Sequence, residues 1–464
     1  MEDNKGLKRF TVPHFLNFAL GFLGLQFAWQ MRIILSAPVT EGLGASPFIY
    51  GLIWLAGPFT GMIVQPLIGA ISDNTKSKFG RRRPYLIGGA FIAALALWAF
   101  PNSANIASFL GHTFDFPIPV WLGLFIAAIM IWIIDACINV AQGPYRALIP
   151  DVVPQEQHSV ANSYISLAIG LGSVIAAATA PVLSSVFHYQ MSIQAQFVMA
   201  ASAFLLAMTW TCLTIKEKDS TTHIESSTEN VETGAKQSFW SDLKEFFLLS
   251  PEVSKICLMQ FFTWIGMMCL MIFFTDYAIH TVYSIPDFSQ LSVVKQLAYK
   301  ALQIKATNYA SICFAIFNLV CFLIAIPIGI MAGKVGNKKI HIISLLSMVI
   351  AYIGLGFFNT NPIVVASFMA LSGIGWASVC SLPFAMLSKF IKPGTEGSVM
   401  GIFNIFIAGP QVVVCTLVSL LIKKCVFTTA SGVNYHWEYS FFVGAVCLLL
   451  AALVTASIKE KTNK

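Results

Sequence analysis

Residues 119–149 read PVWLGLFIAAIMIWIIDACINVAQGPYRALI. An α-helix rises about 1.5 Å per residue, so about 20 apolar residues cross a hydrocarbon core about 30 Å thick. From Val120 to Ile134 the stretch carries no charge, and it stays largely apolar to Ile149. Its polar residues are ordered. Asn139, Gln142 and Arg146 follow Asp135 by four, seven and eleven residues. At 100° per residue they fall within about 60° of one another, a single polar stripe on an apolar helix. Gly143-Pro144 perturbs the last turn. A charge at mid-bilayer costs about 2.5–3.5 kcal/mol on insertion scales, so such a stripe faces protein rather than lipid. A carboxyl at that depth exists either charged beside a cation or neutral with a proton. Asp135 is therefore a candidate proton or cation site, and an ion pair with Arg146 or Arg32 is the structural alternative.

The rest of the chain repeats this pattern. Of 464 residues, 57% are hydrophobic and 11% charged, and mean hydropathy is +0.75. A soluble domain carries about 25% charged residues because its surface must face water. Apolar runs occupy residues 12–40, 46–72, 84–104, 119–149, 158–187, 194–215, 252–284, 306–332, 338–358, 361–390, 396–424 and 436–458. Their length excludes a membrane β-barrel, whose strands alternate over about ten residues. The expected fold is an all-α polytopic membrane protein.

A net charge of +7 could suggest a nucleic-acid partner. Its distribution points to topology instead. Lys5, Lys8, Arg9, Lys76, Lys78, Arg81, Arg82 and Arg83 fall on one side of the spans, whereas Lys295, Lys300, Lys305, Lys423 and Lys424 fall on the other. The positive-inside rule then puts both termini in the cytoplasm. The first apolar run is too long for a cleaved leader and is read as a retained helix. Ten cysteines form no CxxC pair and sit mostly in apolar runs, as small buried residues do. The histidines are scattered, with no HExxH, GxSxG or phosphate loop. No enzyme activity, metal or cofactor is expected, nor any nucleic-acid partner; the expected state is a monomer in a lipid bilayer.

Residues 216–250 are polar and rich in Ser, Thr and Glu, a linker between residues 1–215 and 251–464. An internal repeat supports two halves. Pro144, Leu148, Pro154, Ser159, Val160 and Gly170 overlay Pro383, Leu387, Pro393, Ser398, Val399 and Gly409 without a gap. Two six-helix repeats in the same orientation place a solute site between halves at mid-membrane. Residues 285–305 form a loop in which Leu291, Val294, Leu297 and Leu302 suggest a short amphipathic helix.

Further candidates lie outside the fourth span. Between spans two and three, Gly69-x3-Asp73 leads to Gly80-Arg81-Arg82-Arg83-Pro84. There Asp73 can cap a helix end or pair with the arginines, and the plain alternative is a positive-inside anchor. Arg32 and Asp276 sit in apolar context, where they either snorkel or meet hydroxyls of a substrate. His280, one turn past Asp276, is either a satisfied interior histidine or part of that site. Trp29, Trp54, Trp132, Tyr145, Trp264, Tyr277 and Trp376 fall within spans, where aromatic rings pack, belt the interface or stack on a sugar.

The loop signature resembles that of the major facilitator superfamily, in which it forms a gating network, here Asp73, Gly80, Arg81 and Arg82. Gly24-Leu-Gln26-Phe-Ala-Trp29 with Pro38, Trp54-Leu-Ala-Gly57-Pro58, Gln65-Pro66 and Phe79-Gly-Arg-Arg-Arg-Pro84 resemble the plant sucrose–proton symporters. So does Asp135-x3-Asn139-x2-Gln142-Gly-Pro-x-Arg146-Ala, and in the second half Thr275-Asp276, Pro383-Phe384-Ala and Pro410-Gln411. The resemblance places the chain in the glycoside–pentoside–hexuronide:cation symporter group, and implies twelve helices in two parallel six-helix repeats. It implies that Asp135 accepts the proton and that Arg146 couples it to substrate. Arg32, Asn139, Gln142, Asp276, Trp29, Gln26 and His280 are then the candidate sugar contacts. Two departures stand near that site: Arg32 replaces a glutamine, and Ile279-His280-Thr281 replaces Gly-Arg-Glu. A sugar is implied, a disaccharide such as sucrose or maltose or a hexose, and sucrose itself is left open. The alternatives are a sodium-coupled glycoside symporter of the melibiose type and a non-transporting membrane receptor or scaffold. No N-x-Ser/Thr site occurs, which points to a bacterial inner membrane.

Overall fold

The computed structural model describes residues 9–73, 75, 77–115, 117–154, 157–215, 217, 251–287, 293–390, 396–429 and 432–459. Twelve helices within them are long and apolar enough to cross a membrane. The chain divides into two compact units, Met1–Leu43 with Phe59–Gly234, and Gly44–Pro58 with Ala235–Lys464.

In the first unit, helix one (Val12–Gly42) starts from a capping box in which Thr11 and His14 satisfy each other's ends. Helix two has two pieces, Pro47–Trp54 and Ala56–Asp73. Helix three runs Arg83–Ala99, then through a 3-10 turn at Phe100–Asn102 into Ser103–Thr113. Helices four, five and six are Leu122–Val152, His158–Val186 and Ile193–Thr214. Helix one packs on helices five and six, and helix three on helices four and six.

The second unit repeats the plan. Helix seven (Pro251–Tyr277) ends in a π turn, Ala278–Val282. Helices eight and nine are Val293–Val335 and Asn337–Phe357. Helix ten breaks between Pro362–Val379 and Leu382–Ser388. Helix eleven is Glu396–Val413, a π turn at Val414–Val418, and Ser419–Lys424; helix twelve is Tyr439–Ser457. Helix seven packs on helices eleven and twelve, and helix nine on ten and twelve. The pairings one–five, one–six, three–four and three–six thus recur as seven–eleven, seven–twelve, nine–ten and nine–twelve, the mark of a parallel repeat. Helix nine shows how each helix divides its faces. His341, Ser344 and Met348 point into protein, while Ile343, Ile350 and Ile353 are exposed, as a lipid-facing stripe requires.

Three features depart from the sequence reading. Helix three continues past residue 104, because a single 3-10 turn absorbs Pro101 without ending the helix. The expected separate helix in the loop at 285–305 is instead the first part of helix eight, which runs unbroken for 43 residues from Val293. A β-hairpin, β1 (Val426–Thr429) and β2 (Gly432–Tyr435), stands between helices eleven and twelve, where the sequence reading began helix twelve at residue 436 and assigned no strand. The piece Pro47–Trp54 belongs to the second unit. Its Gly51 lies directly against Ser419 and the Cys415 carbonyl, an approach that only a residue without a side chain permits. The expected linker lies outside the described residues except Glu217.

Candidate functional site

Helix four positions the central group. Its apolar turns hold Asp135 among buried neighbours, and the carboxylate Oδ2 accepts from the Arg32 guanidinium Nη2 at 2.6 Å. Both side chains are nearly sealed, 3% and 2% exposed. One turn along, Asn139 is a hub. Its amide donates to Thr60 Oγ1 at 3.0 Å and to the Asp135 backbone carbonyl at 2.9 Å, while its oxygen accepts from Gln65 Nε2 at 2.8 Å. Gln65 also reaches Gln142 Oε1 at 3.5 Å, the limit of a hydrogen bond. Asp135, Asn139 and Gln142 of the expected stripe thus meet partners on helices one and two.

Of the two arginines weighed as partners, the structure chooses Arg32. Arg146 lies eleven residues from Asp135, about 16 Å along the helix axis, and places its guanidinium 5.8 Å from the Phe22 ring centre. On helix one, Gln26 donates to Ser173 Oγ of helix five at 3.0 Å. Gln26 and Trp29, three residues apart, remain half-buried.

The loop between helices two and three forms a second cluster. Gly80 turns at φ +93°, which suits glycine. Arg81 and Arg82 both donate to Asp151 at the end of helix four, at 2.5 and 2.8 Å, and Arg82 also reaches Ser72 Oγ at 3.1 Å. The Asp73 side chain lies outside the described residues. The acid that closes the loop is Glu217, just past helix six. Its carboxylate accepts from the backbone N–H groups of Arg81, Arg82 and Arg83, at 2.7, 3.1 and 2.9 Å. It sits on the start of helix three, where unpaired N–H groups and the helix dipole favour an anion. Nothing in Lys216-Glu217-Lys218 announces this role. Asp151 was likewise visible only as an isolated polar letter, and Gln65 stood out only within the motif Gln65-Pro66, with nothing to mark Asn139 as its partner.

In the second unit, Asp276 and His280 are buried at 3% and 2% exposure near the end of helix seven. The His280 imidazole Nδ1 donates to the Ile285 carbonyl at 2.8 Å, and its ring stacks on Trp437 at 5.7 Å. Asn434 of β2 donates to the His280 and Ile285 carbonyls at 3.1 and 3.3 Å. One imidazole nitrogen is thus spent on structure, which favours the interior-histidine alternative for His280. Trp264 and Trp376 meet edge to face at 5.8 Å.

Known proteins resemble the chain at both levels. Sucrose transport protein SUC4 of Arabidopsis thaliana is 28% identical over 423 residues, covering 84% of this chain and 80% of that protein. Sucrose transport protein SUT2 of Oryza sativa subsp. indica is 27% identical over 420 residues, covering 84% and 83%. Among solved structures, a D-xylose-proton symporter superposes with TM-score 0.65 at 17% identity, over 98% of this chain and all of that one. The nucleoside transporter NupG gives 0.64 at 14%, over 97% and all of that chain. The Major Facilitator Superfamily matches residues 16–414, and again 309–464. With twelve candidate spans and a repeated six-helix plan, this chain belongs to the Major Facilitator Superfamily.

Proposed function

We propose that this chain is a proton-coupled sugar symporter that works by alternating access. The observation that carries the reading is the buried Arg32–Asp135 pair. An ion pair without water is stable only while both charges are present. A proton on Asp135 removes one of them and turns the Arg32 guanidinium from a partner of the carboxylate into a donor for substrate hydroxyls. Binding of proton and sugar are coupled because each takes one member of the same ion pair, so either one frees the other's site. Asn139 and Gln142 continue the polar stripe beside it, Gln26 and Trp29 line the neighbouring turns of helix one, and Arg146, a fixed positive charge further along, couples the proton to the substrate. Asp276 offers a carboxylate to hydroxyls in the second unit. The Arg81–Asp151–Arg82 cluster, with Gly80 and Asp73, acts as a gate. The sugar-transporting relatives support this assignment of cargo.

Moving one proton charge through 100 mV is worth about 2.3 kcal/mol, enough for about 50-fold accumulation at one proton per sugar. The lysine and arginine bias supports cytoplasmic termini, and we read the chain as a monomer in a plasma membrane of the bacterial inner-membrane type. Reconstitution into proteoliposomes with an imposed pH gradient tests the coupling. Wild type is expected to accumulate sugar uphill, and Asp135→Asn is expected only to equilibrate it. Uphill accumulation by Asp135→Asn defeats the proposal.

A further inference from the structure

The second unit holds a polar side chain whose hydrogen-bonding capacity is entirely unused. Gln260, on helix seven, is fully buried at 0% exposure, yet among the described residues neither its amide Nε2 nor its Oε1 has a partner. A carboxamide can donate two hydrogen bonds and accept two. Leaving all of them unmade in a site without water is costly, so buried amides almost always find partners. Four other glutamines within the spans obey that rule, whereas Gln30 of helix one leaves only its Nε2 unused. Gln26 donates to Ser173, Gln65 to Asn139, Gln196 to the Met191 carbonyl and Gln411 to the Ile407 carbonyl. Thr263, three residues from Gln260, satisfies itself on the Met259 carbonyl.

Trp264 lies one turn beyond Gln260 on the same face of helix seven. Its indole Nε1 also lacks a partner. Its ring meets Trp376 of helix ten at 5.8 Å and 87°, and Trp376 in turn stacks on Phe317 of helix eight at 6.4 Å. Both tryptophans are half-buried rather than sealed. Helices seven and ten thus bring together a neutral amide, an unused indole N–H and two aromatic surfaces. No carboxylate belongs to the set, which disfavours a cation, whose ligands are several oxygens and usually acids. Asp276 is sixteen residues away, about 24 Å along the helix. The chemistry that fits is a neutral polyhydroxylated ring, with hydroxyls for the amide and a C–H face for the indoles.

We propose that Gln260, with Trp264 and Trp376, is a sugar-contacting subsite within the second unit, and that Gln260 selects for a ring hydroxyl. This rests on the sugar-transport reading above. The test uses the purified full-length protein in detergent. Thermal unfolding is followed without ligand and with a panel of mono- and disaccharides, together with deoxy analogues of whichever sugar binds. Gln260→Met keeps the volume and removes the unused polar atoms. It is expected to raise the unfolding temperature of the ligand-free protein while weakening sugar binding by about tenfold or more. Removing the recognised hydroxyl from the sugar should weaken binding to wild type and make no difference to Gln260→Met.

A structural glutamine gives the opposite sign, a lower ligand-free unfolding temperature in Gln260→Met, and that result overturns the subsite. So does an unchanged Kd in a variant whose wild type binds sugar, a result that leaves the sugar reading standing. If no sugar stabilises wild type, the sugar reading falls and the subsite falls with it. Should Gln260→Met fail to fold, tryptophan emission decides. Sugar is expected to perturb emission in wild type and much less in Trp264→Phe, and equal perturbation in both overturns the proposal.

Discussion

The Arg32 guanidinium of helix one and the Asp135 carboxylate of helix four meet at 2.6 Å in a place where neither reaches water. Helices one and four are thereby joined by a buried charged contact. Removing either member leaves a buried charge without that contact, at a cost of about 3–5 kcal/mol. Arg32→Met and Asp135→Leu are each expected to lower the unfolding temperature strongly. The double variant is expected to recover most of the loss while remaining inactive in uphill transport. Calorimetry or a thermal-shift series on the four proteins checks this; a double variant as unstable as the worse single one contradicts it.

Asn139 joins helices two and four through Thr60 and Gln65. Asn139→Leu strands the amide of Gln65 and removes a donor from Thr60, for an expected loss of about 1–3 kcal/mol. Asn139→Ser, which keeps one hydroxyl for the pair, should lose less. Unfolding midpoints in detergent rank the two, and a Leu variant no weaker than the Ser variant contradicts the network.

Glu217 closes the start of helix three through three backbone N–H groups. Glu217→Ala should cost about 0.5–2 kcal/mol, the range for losing an N-terminal cap. Because the vacated nest attracts anions, added phosphate should restore part of the loss in Glu217→Ala and leave wild type unchanged. Thermal shift at matched ionic strength in phosphate and in chloride separates anion binding from screening.

Asn434 bonds two carbonyls at the end of helix seven. Asn434→Ala should loosen that end, and hydrogen exchange should rise at residues 280–287 before it rises in the helix body. Uniform exchange across helix seven would contradict the assignment.

The twelve spans were legible because hydrocarbon demands long apolar helices, and little else satisfies that demand. The helix-four stripe was legible for the same reason: in an apolar helix, Asp135, Asn139, Gln142 and Arg146 have spacing that stands out. Partner choice was not. Arg32 and Arg146 are equivalent as letters, and only the packing of helix one against the first unit brings Arg32 to Asp135. Glu217 was hidden differently, since a glutamate flanked by lysines in a polar segment looks solvated, and its N–H partners are distant in sequence. Gln260 shows the limit most clearly. Its burial and its unused amide are properties of surroundings, and one letter among the apolar residues of helix seven carries neither.

The hairpin β1–β2 has a mechanical consequence for the second unit. Asp287 donates its backbone N–H to Val433, while Asn434 grips the carbonyls of His280 and Ile285 and Trp437 lies flat on the imidazole. Helix seven is thus bolted at one end to the segment that joins helices eleven and twelve. A tilt of any one of these three helices must carry the other two, so at that end the unit behaves as a single lever. Compliance is left to the broken helix ten, whose pieces are separated at Cys380 and Ser381.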